Sequence, residues 1–443
     1  MRKVVLFLTS ATLWPQEPLA VRDAVRLALQ GSPAVMAASE TVKAAQTRVD
    51  QARGGRLPKL NYSESFTRSD NPVFVFSSLL TQHQFGEQNF AIGPLNQPGA
   101  LNNFQSQLTL DQTLYDAGQT RHALKAAGLG RDMSQEDARS ATMQTIAAAA
   151  RAYYDAVLAA ESLKTAEQAV RSAEADLRRA DNVRAAGLST DVDVLSIRVH
   201  LANVTEQRIR RAADLDVARA ALNDVLGLPL DAGHTLTTAL TRADVPDIEL
   251  AELERDAARG RPEVRQTHLA AGLVQTQADS ARSALLPQLS FRSMVEADRQ
   301  RFVTRGGANW LASVNLRWNL FNGLSDKARI DETTHLLRRA DAEARRADSA
   351  VRLQVRRAYA DLRAAEQRIE VARAAVAEAA ESLRITQNRY EAGMSNVTDL
   401  LRNETTVLES NTRYLAAVHD QRVAALMVEF AAGRLAADSE VLN

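Results

Sequence analysis

The sequence predicts a mostly α-helical fold with membrane-type β-strands, built as two copies of one long-helix, coiled-coil hairpin unit that brings four strands per chain. Three observations carry this prediction. The second half of the chain repeats the first at an offset of about 206 residues: Tyr115-Asp116-Ala117-Gly118 returns as Phe321-Asn322-Gly323, Ala186-Gly187-Leu188-Ser189 as Ala392-Gly393-Met394-Ser395, and Asp193 as Asp399. Proline is absent between Pro98 and Pro229 and after Pro287, and Leu324 to Ala392 holds neither Gly nor Pro. Helix interiors demand this, since each proline there costs about 3 kcal/mol. Finally, four short stretches change their apolar period from that of a helix to that of a strand. Such duplication constrains the architecture before any motif is read.

The chain opens on Met1-Arg2-Lys3, an apolar run from Val4 to Trp14, and Pro15. A basic start followed by a short apolar run predicts an export signal peptide over residues 1–19, although no A-x-A cleavage pattern is present. The other reading is a frayed or buried N-terminal segment. No stretch is long and apolar enough for a helical membrane span, so any crossing must be made by β-strands.

The first repeat is expected over 20–228. It starts with a half-length helix over about 20–53, turning near Gly31-Ser32-Pro33. Leu57-Pro58 then introduces strands near 60–68 and 104–115, where side chains alternate. A long helix is expected over 119–186, on the order of 100 Å at about 1.5 Å per residue. The Ala-Gly pair at its end fits a left-handed cap, and a returning helix over 191–226 completes a hairpin.

Residues 229–247 read as a linker, and the second repeat is expected over 248–435. Its half-helix runs to about 284 with a turn at Gly260-Arg261-Pro262, and strands follow near 289–298 and 310–321. The long helix is expected over 324–392 and the returning helix over 397–432, leaving 436–443 as a C-terminal tail. Along the second long helix Val351, Val355, Ala358, Leu362, Ala365, Ile369, Ala372, Val376 and Ala379 step by fours and threes, the spacing of a coiled-coil seam. Leu163, Ala166, Val170, Ala173, Leu177 and Ala180 hold the matching places in the first.

In the last strand Trp310, Val314, Leu316 and Trp318 share one face with Ala312 and Leu320, opposite Ser313, Asn315 and Arg317. That is the pattern of a strand with lipid on one side and water on the other, and those four large residues are the expected lipid-facing set. A soluble sheet with its apolar face inward gives the same alternation. The offset between repeats is about 229 residues at the Leu-Pro pairs and 206 after the strands. The first hairpin is thus about 23 residues longer, and the excess falls between Asn71 and Asn103, expected as a hairpin extension or loop.

Composition narrows the chemistry. Lysine plus arginine and aspartate plus glutamate both number 54, so nothing implies a nucleic-acid partner. There is no cysteine, which removes disulfides, thiolate metal sites and a cysteine nucleophile. The seven histidines are scattered without metal-ligand spacing, and no phosphate loop, dinucleotide fingerprint or nucleophile elbow is present. The expectation is a non-enzyme with neither cofactor nor metal.

The order of elements, with Leu114-Tyr115-Asp116-Ala117-Gly118 beside Leu320-Phe321-Asn322-Gly323 and Tyr390-Glu391-Ala392-Gly393 followed by Asp399-Leu400-Leu401, resembles the TolC-like outer membrane efflux protein family. The resemblance spans about residues 20–435. It implies a homotrimer in which twelve helix columns form an α-barrel and three chains share a 12-stranded β-barrel in the outer membrane of a Gram-negative bacterium, with a large periplasmic part. Physics agrees, since four strands cannot close a barrel and an open edge is not tolerated in lipid. The implied function is the outer-membrane channel of a tripartite efflux or secretion system, working with a periplasmic adaptor and an inner-membrane pump. The alternative is a soluble periplasmic coiled-coil scaffold without a channel.

The resemblance also implies sites. Asp193 and Asp399, each six residues past its tip glycine, would ring an aperture that Tyr390 helps to hold shut. Both aspartates equally suit the first turn of a helix, where the dipole favours them, and Tyr390 equally suits the last seam position. Gly187, Leu188, Ser189, Gly393, Met394 and Ser395 would meet the adaptor at the hairpin tips. The chain departs from the family where a gating arginine can follow the glycine, having Ser395, and where a second acidic residue can stand, having Arg402.

Overall fold

The computed structural model describes residues 17–185, 190–245 and 248–443. The helices are α1 (Val21–Gly31), α2 (Pro33–Arg53), α3 (Pro72–Thr81), α4 (Ile92–Asn96), α5 (Gln119–Ala185), α6 (Asp191–Leu226), α7 (Leu250–Gly260), α8 (Pro262–Ser283), α9 (Ser325–Glu391) and α10 (Val397–Ala431). The strands are β1 (Glu17–Leu19), β2 (Lys59–Ser69), β3 (Leu101–Tyr115), β4 (His234–Leu236), β5 (Gln288–Arg299) and β6 (Gly306–Arg317). α5 and α9 have 67 residues each, so the duplicated long helix is present in both halves. No described helix is long and apolar enough to cross a membrane.

The chain divides into two compact units. One takes residues up to Glu40, Gln135–Thr267 and Ala344–Asn443; the other takes Thr41–Ser134 and His268–Glu343. In the first, Val21, Ala24, Val25 and Ala28 place four small apolar side chains on one face of α1 and are all buried. They join Ile146, Tyr153, Tyr154, Leu222, Leu253, Val355 and Leu426 in the main core. Each large side chain buried here contributes roughly 1.5–3 kcal/mol. The seam expected on α9 is buried at Val351, Val355, Leu362, Ala365 and Ile369.

Two short segments have functions in this core that periodicity does not announce. β1 pairs in parallel with β4, Leu19 opposite Leu236, so the end of the expected signal peptide is part of the fold. Residues 1–16 of that segment lie outside the described residues. The expected tail is also tied down: Val441 and Leu442 are buried, and Arg422 Nη1 donates to the Asn443 carbonyl at 2.7 Å.

The second unit carries an antiparallel sheet in the order β2-β3-β5-β6. β3 against β5 joins the two repeats, while β2 and β6 are the edges. Opposed residues in an antiparallel pair share a face, and alternate residues along a strand share it too. The register therefore collects Leu60, Tyr62, Phe66, Leu108, Val295, Trp310, Val314 and Leu316 on one face. Trp310 is 79% exposed and Leu316 67%. The opposite face carries Asn61, Ser63, Gln105, Arg292, Glu296, Asp298 and Asn309.

Three expectations need correction. β6 begins and ends about four residues earlier than expected, because its partner β5 starts at Gln288, which pairs with Arg317. Trp318 is therefore not a strand residue; its indole N–H donates to the Leu285 carbonyl at 3.1 Å. β3 starts at Leu101 rather than 104. The extension of the first hairpin is no mere loop. Asn71 Oδ1 accepts from the backbone N–H of Val73 and Phe74, and with Pro72 at the first helical position it starts α3 despite the β-prone Val-Phe-Val-Phe run.

Candidate functional site

The hairpin tips are built by local chain chemistry. At the second tip α9 ends at Glu391, and Gly393 just beyond it has a φ of +69°, in the left-handed region. The Met394 N–H reaches the Arg389 carbonyl (2.8 Å) and the Gly393 N–H reaches that of Tyr390 (3.0 Å), the paired bonds of a Schellman end. Asn396 Oδ1 then accepts from the Asp399 N–H (2.8 Å) to start α10. Met394 is left 65% exposed at the turn. In the first tip Gly187, Leu188 and Ser189 lie outside the described residues. Beyond them Thr190 and Asp193 close a reciprocal capping box over α6, and Asp193 Oδ2 accepts from the Thr190 hydroxyl (2.8 Å) and N–H (3.1 Å).

Beneath the tips Ala180, Val194, Ile197 and Val397 form a small core, with Leu177, Tyr390 and Leu401 packed on it. This brings α5, α6, α9 and α10 together. Tyr390 is half-buried there, and its hydroxyl pKa is raised first by burial and then by the negative charge of Asp193. The structure thus unites Asp193 with Tyr390. Asp399 is half-buried and bound to its own turn, with Ser395 Oγ 3.5 Å from its Oδ2.

About one helical turn beyond this small core lies a group that sequence reasoning did not single out. Asp176 on α5 and Glu404 on α10 are both buried. Glu404 Oε2 lies 3.1 Å from Nε2 of His200 on α6, and Ser172 Oγ donates to Oε1 at 3.2 Å. Asp176 Oδ1 accepts from Arg179 (3.1 Å), and the same guanidinium reaches Glu391 of α9 (3.3 Å). Burial, then the adjoining Glu404 carboxyl, pushes the Asp176 pKa up to about 8. Burial also opposes ionisation of Glu404, but the hydrogen bonds from His200 and Asp176 outweigh it and hold its pKa below the ordinary value. The two shifts run in opposite directions, so of the two adjoining carboxyls Asp176 is the one that keeps its proton to higher pH. His200 and Glu404 also line a cavity of about 440 Å³ with Gln168, Val204, Leu383 and Asn411.

A signal for this group was present. Asp176 is three residues from Ala173 and four from Ala180, Glu404 is four from Leu400 and four from Leu408, and His200 is three from Ile197 and four from Val204. A charge at such spacing falls on the apolar stripe, where it must find a partner. Among the described residues, no three His, Cys, Asp or Glu side chains are placed to hold a metal ion.

Comparison with known proteins agrees with this architecture. Residues 24–228 and 246–434 match the family described as outer membrane efflux protein. The protein CyaE of Bordetella pertussis is 29% identical over 440 residues, covering 96% of this chain and 88% of that one. The alkaline protease secretion protein AprF of Pseudomonas aeruginosa is 23% identical over 431 residues, covering 94% and 85%. Among solved structures, the Campylobacter jejuni CmeC outer membrane channel superimposes with a TM-score of 0.79 at 17% identity, over 96% of this chain and 90% of that one. At that identity the likeness establishes the fold.

Proposed function

We propose, from the premise that this chain belongs to the outer membrane efflux protein family, that three copies assemble into one duct across the outer membrane and periplasm, receiving substrate from an inner-membrane pump through a periplasmic adaptor. The family consists of outer-membrane efflux and secretion channels, and the proposal concerns how this chain builds and controls one.

The observation that carries it is the open sheet. β2 and β6 are its edges, one face is polar, and the other exposes Trp310, Val314 and Leu316. An edge strand with unpaired backbone groups cannot rest in hydrocarbon, so the apolar face requires that β6 of one copy pair with β2 of the next. Four strands from each of three copies close a 12-stranded barrel with its polar face inward.

The hairpin tips form the controlled end. Asp193, Asp399 and Tyr390 line the aperture, and carboxylates repeated about a threefold axis attract cations and resist anions. Arg179, between Asp176 and Glu391, supplies the link between hairpins that Ser395 cannot. Residues 187–189 and 393–395 meet the adaptor. Of the two substrate classes, AprF is named for protease secretion, while the family description speaks of efflux; the lumen admits either, and the pump chooses.

Reconstitution into planar bilayers tests the proposal. A cross-linkable trimer that produces discrete, cation-preferring conductance steps is expected. Material that remains soluble without detergent and never opens a pore would leave the scaffold alternative standing.

A further inference from the structure

We propose that residues 70–100 form a built-in constriction at the loop end of the barrel, folded onto the sheet face that lines the water-filled path. This rests on the channel reading above, which assigns the polar face to the lumen, and goes beyond it by giving the longer first hairpin a role in permeation.

The face is decided by the anchors. Gln82, at the end of α3, is 1% exposed; its Nε2 donates to Asn103 Oδ1 and to the Asn102 carbonyl, both at 2.9 Å. Asn103 Nδ2 donates in turn to Asp298 Oδ1 at 2.6 Å. His83 Nε2 lies 3.2 Å from Asn309 Oδ1, and Asn309 Nδ2 donates to the Thr81 carbonyl at 3.0 Å. By register, Asp298 stands opposite Gln105 and Gly307, and Asn309 opposite Glu296. Asn103 lies two residues from Gln105 on the same strand. Every anchoring side chain therefore shares the polar face, while Trp310, Val314 and Leu316 on the other face remain uncovered.

Glycine at 307 is an independent sign. A Cβ there would project onto the same face and meet the His83 ring at 2.5 Å. The absent side chain leaves the space the ring fills. His83 itself has a φ of +54°, uncommon for a non-glycine residue and retained only where surrounding contacts hold it. The buried chain of bonds from Gln82 through Asn103 to Asp298 defines one seating for the segment rather than a drifting loop.

The segment also has its own apolar nucleus. Phe85 makes edge contacts with Phe76 (4.8 Å) and Phe90 (5.1 Å) between ring centres. Val73 and Ile92 remain 78% exposed. Seated on the lumen face, these side chains present apolar surface to a water-filled passage, and an apolar narrowing impedes ions by excluding water. The second hairpin has no counterpart, since β5 and β6 are joined by residues 300–305 alone, so a trimer carries three such segments, one for each copy.

The absence of cysteine makes the test clean. Ile92→Cys and, as an outward control, Val314→Cys are reconstituted in planar bilayers and treated with a charged, thiol-specific reagent. Modification at position 92 is expected to cut single-channel conductance about twofold or more, with no change at 314. Replacing residues 72–98 by a two-residue Asn-Gly turn is expected to raise conductance about twofold or more. If the turn variant fails to assemble, the cysteine pair decides alone. If wild type opens pores but modification leaves the conductance of Ile92→Cys pores unchanged, the constriction is overturned and the channel stands. A wild-type protein that opens no pores overturns both.

Discussion

His200 of α6 and Glu404 of α10 meet at 3.1 Å inside the helices beneath the hairpin tips, beside the buried carboxyl of Asp176. Three helices thus converge on one titrating group of the same chain. Closely packed apolar side chains would have held these helices without ionisable groups, so the arrangement ties their packing to pH.

The sign follows from the direction of each shift. Asp176 has a folded pKa near 8, well above its unfolded value, so the folded state holds a proton that the unfolded state releases. Its contribution is present at low pH and is lost as pH rises from about 4 to about 8. Glu404 is shifted downward and acts oppositely, losing its contribution only as pH falls below the ordinary carboxylate range. Asp176→Asn keeps a donor for Glu404 and removes the titration. It should unfold like wild type near pH 4 and at higher temperature near pH 8, by about 2–4 °C per kcal/mol recovered. Parallel unfolding curves across that range would refute a titrating Asp176.

Arg179→Ala removes the side chain that reaches both Asp176 and Glu391. Partly exposed ion pairs are worth about 0.2–1 kcal/mol each. If they help to hold the tips closed, the open population in bilayer recordings should rise about two- to fivefold. Tyr390→Phe, which keeps the ring on the small core but deletes the hydroxyl near Asp193, should act in the same direction. Recordings indistinguishable from wild type for both variants would show that these contacts do not gate.

Gly393→Ala should strain the second tip by about 1–2 kcal/mol, since φ of +69° is unfavourable for any residue with a Cβ. Open space surrounds a Cβ at this position, so no clash contributes. Faster hydrogen exchange at the Gly393 and Met394 amides is the expected signature, with the main core unaffected.

Tyr153 tests the tie between distant segments. Its buried hydroxyl donates to the Leu19 carbonyl (2.8 Å) and accepts from the Thr238 N–H (2.9 Å), joining α5 to β1 and to the chain just past β4. Tyr153→Phe orphans the Thr238 N–H, while the Leu19 carbonyl keeps its bond from the Thr237 N–H (3.1 Å), and should lower stability by about 1–3 kcal/mol. A midpoint in denaturant within error of wild type would mean that water replaces the hydroxyl.

Elements that rest on period and punctuation were legible in the amino-acid order. Repeated Ala-Gly and Leu-Pro landmarks, long proline-free runs and period-two stretches placed both long helices, both returning helices and four strands to within a few residues. These signals are local, because which face a side chain occupies depends only on its neighbours along the chain. Tertiary structure alone decided what each face would meet. It paired the three residues of β1 with β4, too short for any period to register, and moved β6 by fixing its register against β5. It folded the Asn71–Asn103 extension as helices on the polar face, a choice made by the Asn71 cap and by anchors as distant as Asn309. It also gathered Asp176, His200 and Glu404, each readable singly as a charge on an apolar stripe. The upward shift at Asp176 arises because helices far apart in sequence bury its carboxyl beside that of Glu404 and exclude the water that would favour its charge.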